Sequence, residues 1–225
     1  MTQHYPGTSF TAQARPVRLN APAPQPYATL FKRLLDIALV LAALPVVLPV
    51  ILVVAALAAS DGHSPFFRQP RIGRNGRRFA MLKIRTMVPD AEAKLERHLA
   101  RNPEAAAEWA RDQKLRNDPR ITRAGRFLRR SSLDELPQLW NVLIGDMSLV
   151  GPRPMLPQQR PLYPGNAYET LRPGITGLWQ VEARNSASFA DRAIYDTAYA
   201  NTLSLITDIK ILAKTLNAVL NQTGN

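Results

Sequence analysis

The sequence predicts a mainly helical α+β protein that is held to a membrane by one proline-broken, re-entrant helix hairpin. Three observations lead to this class: an apolar run over 34–59, a strand pattern over 79–85, and helical apolar spacing over 203–220. The chain has 225 residues and a net charge of +12, so it has room for one domain and favours an anionic partner. It contains no cysteine, which excludes disulfides and thiol nucleophiles.

We divide the chain into three parts. Residues 1–30 hold five prolines and no apolar run, so we predict a disordered leader. Residues 31–60 are the predicted re-entrant membrane helix. Residues 61–225 are the predicted small cytoplasmic domain, which carries the candidate site. We expect its last helix, over 203–220, to be amphipathic and to lie at the membrane surface or against the domain, because Asp208, Lys210 and Lys214 make it too polar to span.

The apolar run over 34–59 has one charge, Asp36, and exceeds the roughly 20 residues that cross a bilayer. Pro45 and Pro49 lie near its middle, and each removes a backbone hydrogen bond and clashes with the preceding turn. We therefore expect a sharp bend that returns the segment to the face it entered. Basic residues flank both ends, which fits a hairpin on the cytoplasmic face. A kinked single span and a buried helix of a soluble protein are the alternatives.

Seven basic residues and no acidic residue occur over 68–85. Gly73 and the pair Asn75-Gly76 predict a tight turn, and the alternating segment over 79–85 predicts a strand with Lys83 and Arg85 on one face. Such a cluster can bind anionic lipid headgroups or a phosphate ligand. We expect most of these cations to serve the membrane, and we take Lys83 and Arg85 as candidate ligand-binding residues.

Asp134 and Glu135 are adjacent carboxylates between a basic run and the Gly-Pro-Arg-Pro turn at 151–154. Ser132 and Glu135 have the spacing of a capping box, and Pro137 suits a first helical turn, so a purely structural role is one interpretation. A helix start would also hold Asp134 ionised and attract phosphate oxygens. The two interpretations are compatible, and the acidic pair among cations favours phosphate chemistry.

Six motifs occur in one order along the chain, and together they resemble a known family. They are Lys32-Arg-x-x-Asp36, Arg71-Ile-Gly-x-Asn-Gly76, Lys83-Ile-Arg-Thr-Met87, the block over 131–154, Arg172-Pro-Gly-Ile-Thr-Gly-Leu-Trp-Gln-Val181, and Asp208-Ile-Lys-Ile-Leu212. The chain resembles the bacterial sugar transferases, in the short, monotopic polyprenyl-phosphate hexose-1-phosphate transferase form that primes exopolysaccharide synthesis. One departure is Leu48-Pro49 at the helix break, where the family commonly has Ser-Pro.

The resemblance implies an enzyme at the cytoplasmic face of the bacterial inner membrane. It would move a hexose 1-phosphate from UDP-galactose or UDP-glucose to undecaprenyl phosphate and release UMP. Asp134 matches the nucleophile that forms a covalent phosphosugar-aspartate and sits against Mg²⁺, and Glu135 matches its acidic partner. The implied phosphate, nucleotide or sugar contacts are Arg129, Arg153, Gln180 and Arg184.

Two other functions stay open at this stage. An amino-sugar donor would use the same reaction. A non-catalytic, membrane-tethered protein that binds anionic lipid or nucleic acid would explain the charge and the anchor, but not the acidic pair. We do not expect nucleic acid as a partner, because the basic region lacks a pattern of stacking aromatic residues. The oligomeric state also stays open, a homodimer included.

Overall fold

A computed structural model describes residues 27–112, 115–183 and 188–220, and it confirms a mainly helical α+β fold. The strands are β1 (Phe66–Ile72), β2 (Arg78–Ile84), β3 (Ser148–Val150) and β4 (Gly174–Thr176). The helices are α1 (Lys32–Ala59), α2 (Ala91–Arg101), α3 (Pro103–Asp112), α4 (Arg123–Arg130), α5 (Gln138–Ile144), α6 (Ala167–Thr170), α7 (Leu178–Glu182), α8 (Arg192–Asn201) and α9 (Leu205–Leu220). Strands β1 and β2 pair antiparallel, and β3 and β4 pair parallel.

Helix α1 contains the whole predicted membrane segment. In the part of the chain that the structure describes, it is the one helix long and apolar enough to cross a membrane, judged by length and composition. Pro45 and Pro49 lie inside it, and the segment is one helix of 28 residues, not two separated halves. The predicted hairpin therefore stays a prediction. Side chains in the middle of α1 are highly exposed, with Val46 at 71% and Val53 at 70%.

The two ends of α1 both pack on the folded domain. Near its start, Val40 is buried in a cluster with Met81 of β2 and Val142 of α5. Near its end, Val54 is buried in a cluster with Ile84 of β2 and Leu128 of α4. Within α1, the buried residues all lie at or before Val40, or at Val54 and beyond. The proline-containing middle therefore stands away from the domain, while both ends contact it.

Polar contacts also tie both ends of α1 to the domain. The Arg33 guanidinium donates to the carbonyl oxygens of Val142 and Leu143, at the carboxyl end of α5. Cations are favoured there, because the last carbonyls of a helix lack the amide donor four residues later and carry partial negative charge. At the other end of α1, the Arg85 guanidinium donates to the Ala58 carbonyl oxygen at 2.7 Å.

The β1–β2 hairpin confirms the predicted turn and strand. Arg71 lies opposite Phe79 in the register. Asn75 and Gly76 in the connecting turn have φ values of 57° and 74°, a left-handed conformation that asparagine and glycine tolerate best. Strand β2 ends at Ile84, so Lys83 lies in the strand and Arg85 lies beyond it.

The described structure includes the last four residues of the predicted leader, 27–30. Residues Tyr27–Phe31 form a π-helical turn. The Tyr27 hydroxyl donates at 2.6 Å to Asp208 of α9, and the Lys32 ammonium lies 2.5 Å from the same carboxylate. The buried Asp208 thus joins the start of α1 to α9, whose other face exposes Ile206 and Leu216. The helix over Leu205–Leu220 confirms the predicted last helix, and its position at a membrane surface stays a prediction. Residues 1–26 lie outside the described ranges.

Candidate active site

Asp134 and Glu135 lie in a single 3₁₀ turn, Leu133–Glu135, that precedes α5. The predicted capping box does not form. Ser132 adopts a left-handed conformation with φ of 56°, and its side chain makes no capping hydrogen bond. Helix α5 begins only at Gln138, so Asp134 lies before its first turn. The spacing of Ser132 and Glu135 in the sequence could not predict the left-handed conformation of Ser132, because that conformation depends on how the turn packs.

Asp134 is a buried carboxyl group, with 7% of its surface exposed. Burial raises its pKa above the usual value for aspartate. The positive charges of Lys83 and Arg129 oppose this rise, while the neighbouring Glu135 adds to it. A buried acid between opposing charges is typical of a functional site.

Glu135 faces the cations that the sequence analysis proposed. Its Oε1 accepts a hydrogen bond from the Lys83 ammonium at 2.8 Å and lies 3.6 Å from the Arg153 guanidinium. These two cations come from β2 and from the turn after β3. The structure therefore brings Asp134, Glu135, Lys83 and Arg153 together from three separate segments.

Glu135, Lys83 and Arg153 line a pocket with mostly polar walls, and the buried Asp134 lies beside it without being one of its lining residues. The pocket is lined by Arg71, Met81, Lys83, Glu135, Gln138, Arg153, Pro154 and Ile175. The sequence analysis missed Arg71 and Gln138 as site residues. Both could have been found, because Arg71 opens the Arg71-Ile-Gly-x-Asn-Gly76 motif and Gln138 lies within the block over 131–154.

Two glycines set the position of the turn that carries Arg153. The amide of Gly151 donates to the carbonyl oxygen of Thr176 at 2.8 Å, and the amide of Gly174 donates to that of Pro152 at 2.8 Å. A Cβ atom on Gly151 would lie 2.3 Å from the Arg172 carbonyl oxygen, so no larger residue fits without displacing backbone. The close approach of β3 and β4 thus positions Arg153 at the pocket.

Arg129 reaches the site from α4. Its Nε donates to the Thr86 hydroxyl at 2.8 Å, next to the end of β2. Helix α4 lies tightly on this segment, because a Cβ atom on Gly125 would come within 2.1 Å of the Thr86 carbonyl oxygen. The Thr122 hydroxyl accepts the Gly125 amide at 2.9 Å and caps the helix start. Arg129 thereby adds positive charge beside Asp134.

Three of the predicted ligand contacts lie elsewhere or outside the described residues. Arg85 donates to Asp61 at 2.6 Å and to the end of α1, so the structure does not bring it to the pocket. Gln180 donates to the carbonyl oxygen of the pocket residue Ile175 at 2.7 Å, and its side-chain Oε1 is buried with no partner among the described residues. Arg184 falls in a range that the structure does not describe.

The acidic pair also bears on the predicted metal. In the described residues, no group of three or more His, Cys, Asp or Glu side chains is placed to hold a metal ion. Magnesium is commonly bound by one or two carboxylates together with substrate phosphates. Asp134 and Glu135 therefore fit a magnesium ion that shares its ligands with a phosphate substrate.

The described residues combine one helix long and apolar enough to cross a membrane with a site where carboxylates lie among cations. The family model described as bacterial sugar transferase matches residues 27–222. This match covers most of the chain, so the chain belongs to the bacterial sugar transferase family.

Several characterised or named relatives are similar over most of this chain. A UDP-galactose-lipid carrier transferase of Erwinia amylovora is 46% identical over 86% of this chain and 41% of its own length. The exopolysaccharide production protein ExoY of Rhizobium meliloti is 44% identical over 90% of this chain and 91% of its own. A UDP-glucose:undecaprenyl-phosphate glucose-1-phosphate transferase of Caulobacter vibrioides is 38% identical over 93% of this chain and 77% of its own length. The chain thus spans about two fifths of the first relative.

Proposed function

We propose that the protein transfers a hexose 1-phosphate from a UDP-sugar to undecaprenyl phosphate and releases UMP. The observation that carries this proposal is the buried Asp134 beside Glu135, held against the cations Lys83, Arg129 and Arg153. The names of the relatives support a lipid-carrier acceptor and a galactose or glucose donor. In a protein that only binds anions, a carboxylate beside these cations would oppose the binding.

In the first step, a carboxylate oxygen of Asp134 attacks the β-phosphorus of the donor. The bond between this phosphorus and the bridging oxygen breaks, and the bridging oxygen leaves with UMP. The sugar phosphate is then joined to the Asp134 carboxylate as an acyl phosphate, which is a mixed anhydride. This step needs no proton transfer, and it splits one difficult displacement into two.

In the second step, a phosphate oxygen of undecaprenyl phosphate attacks the same phosphorus. The phosphorus–carboxylate bond breaks, which yields the lipid diphosphate sugar and restores the Asp134 carboxylate. Glu135 follows Asp134 in the chain and pairs with Lys83 and Arg153. Glu135 would therefore hold these two cations near the reacting phosphate. Preorganised charge of this kind stabilises the charge that develops in a transition state.

Magnesium would be held by Asp134, together with phosphate oxygens of the donor. When bound, it would neutralise diphosphate charge and make UMP a better leaving group. The protein's own cations also stabilise negative charge at the site. Lys83 and Arg129 favour the ionised form of Asp134 against its burial. Arg153 offers a planar guanidinium, which suits paired contacts with phosphate oxygens.

We also propose that the protein is monotopic and enters the inner membrane from the cytoplasmic face. A straight helix of 28 residues is about 42 Å long, more than the roughly 30 Å hydrocarbon layer. A single span would place the ends of α1 on opposite faces, yet both ends contact one domain. Exposed Phe127, Trp140 and Ile144 on α4 and α5 add apolar surface beside α1. The site would then lie at headgroup depth.

This topology predicts that both chain ends stay in the cytoplasm. The chain has no native cysteine, so Thr2→Cys and Asn225→Cys each supply one label site. We expect neither to react with a membrane-impermeant maleimide in intact spheroplasts, and both to react after lysis. Labelling of Thr2→Cys alone in intact spheroplasts would establish a span and contradict the hairpin.

The test of the proposed function is UMP release from a panel of UDP-hexoses and UDP-amino sugars, with magnesium and the protein in lipid nanodiscs. Each donor is measured with and without undecaprenyl phosphate. We expect sustained UMP release that depends on the acceptor and favours one neutral hexose. Preference for a UDP-amino sugar would replace the neutral hexose in the proposed reaction. The absence of UMP release from every donor, with the protein folded, would contradict the proposal.

A further inference from the structure

Three arginines from distant parts of the sequence lie close enough for their charges to oppose one another: Arg71 and Arg153 line the pocket, and Arg192 lies near both. Arg71 ends β1, Arg153 follows β3, and Arg192 begins α8. Burial first, and then the charge of Arg153, lower the pKa of both Arg71 and Arg192 to about 10. The positive charges of these arginines oppose one another, so an anion bound between them would be stabilised.

The arginine cluster has hydrogen-bond donors that the protein leaves unused. The buried Nε atoms of Arg71 and Arg192 have no partner among the described residues. Arg71 uses its other nitrogens on the carbonyl oxygen of Pro154 and on Gln69. An unpaired buried donor is costly, and such groups are rare unless a ligand satisfies them.

Arg192 is held in place by aromatic rings. Its guanidinium lies 4.3 Å from the ring centre of Trp179 and 4.5 Å from that of Phe189. Asp196 on the same helix faces it, but this carboxylate accepts the Tyr163 hydroxyl at 3.0 Å. Burial raises the pKa of Asp196, and the Arg192 charge lowers it. The Arg192 guanidinium is therefore held against two rings, and the Asp196 carboxylate that faces it is already bonded to Tyr163.

The surroundings of the arginine cluster separate it from the membrane anchor. The apolar cluster beneath it contains Ile72, Met155, Tyr163, Tyr168 and Ala193, with Phe189 packed against it, and no described residue of α1. Helix α1 instead packs on clusters that include Val142 and Leu128. A soluble anion therefore has better access to these arginines than a phosphate anchored in the bilayer.

We propose that Arg71, Arg153 and Arg192 bind the phosphate of the nucleotide, the group that leaves as UMP. This inference rests on the proposed function and adds Arg71 and Arg192 as donor-binding residues. It separates the site into two parts. Lys83 and Glu135 lie next to the attacked phosphorus, and the arginine cluster holds the phosphate that departs.

The test is direct binding of UMP and of a short-chain polyprenyl phosphate to the full chain in nanodiscs, by titration calorimetry. We expect Arg192→Gln to weaken UMP binding at least about tenfold, because a hydrogen bond to a charged group contributes roughly 1.5–3 kcal/mol. Binding of the polyprenyl phosphate should stay within about twofold. Arg160→Gln is the matched control, since Arg160 also stacks on a ring, that of Tyr163, but pairs with Glu169.

Arg192→Lys keeps the charge and serves if Arg192→Gln fails to fold. It should still weaken UMP binding severalfold, because an ammonium cannot replace a stacked, planar guanidinium. Unchanged UMP binding in folded Arg192→Gln or Arg192→Lys would overturn the proposal. Selective loss of polyprenyl phosphate binding would assign the cluster to the acceptor and also overturn it. Acceptor-dependent UMP release by the wild type would leave the proposed function standing in either case.

Discussion

Replacing Asp134 by Asn is expected to lower sugar phosphate transfer at least about 10³-fold, because an amide cannot form the covalent intermediate. Asparagine has nearly the same shape, and it removes an acid whose pKa burial raises. The thermal midpoint of unfolding should therefore stay the same or rise. The measurement is initial-rate UMP release with saturating donor and acceptor, alongside a melting curve for each protein.

Asp90→Asn is the matched control for this variant. Asp90 is exposed in the turn before α2, so the same chemical change there should leave the rate within about twofold of wild type. Transfer by Asp134→Asn at more than a tenth of the wild-type rate, with the protein folded, would exclude Asp134 as the nucleophile.

Replacing Lys83 by Met is expected to cost about 100-fold in rate near pH 7 and to move the acidic limb of the pH profile upward. Burial already raises the pKa of Asp134, and Lys83 is the larger of the two cationic influences that lower it again. Removing Lys83 therefore raises the pKa further. Because the nucleophile is the ionised form, activity falls as the pH drops through this pKa, and the fall begins at a higher pH.

The measurement is kcat against pH for wild type, Lys83→Met and a control on the same strand, Arg78→Met. Arg78 is exposed at the start of β2, so its pH profile should match that of wild type. A rate loss in Lys83→Met with an unmoved acidic limb would contradict the proposed effect on Asp134.

Local patterns predicted much of the architecture. The turn at Asn75-Gly76 and the alternation after it gave the correct hairpin, because both depend on residues close in sequence. The apolar spacing over 203–220 also predicted helix α9 correctly. By contrast, the capping box at Ser132 was wrong. The turn there takes a left-handed residue and ends before α5, which depends on contacts with β2 and α4.

In the candidate site too, local patterns predicted some residues, and long-range packing placed the others. Asp134 and Glu135 stood out as acids among cations, and Lys83 and Arg153 were found through their motifs. Arg85 was expected beside Lys83 by strand alternation, but β2 ends between them and Arg85 turns to Asp61. Arg192 had no signal at all. It joins the arginine cluster because α8 packs on α6 and α7 and its Ala193 shares a core cluster with Ile72 of β1, and spacing along the chain does not encode such long-range contacts.

The covalent phosphosugar-aspartate is the central claim, and intact-mass measurement tests it most directly. The protein is incubated with magnesium and its preferred UDP-sugar without acceptor, quenched rapidly, and analysed whole and as peptides. We predict a mass gain of one hexose phosphate on the peptide that carries Asp134, absent in Asp134→Asn and discharged by added undecaprenyl phosphate. Acceptor-dependent turnover without this adduct under any quench time, or an adduct on another residue, would contradict the mechanism.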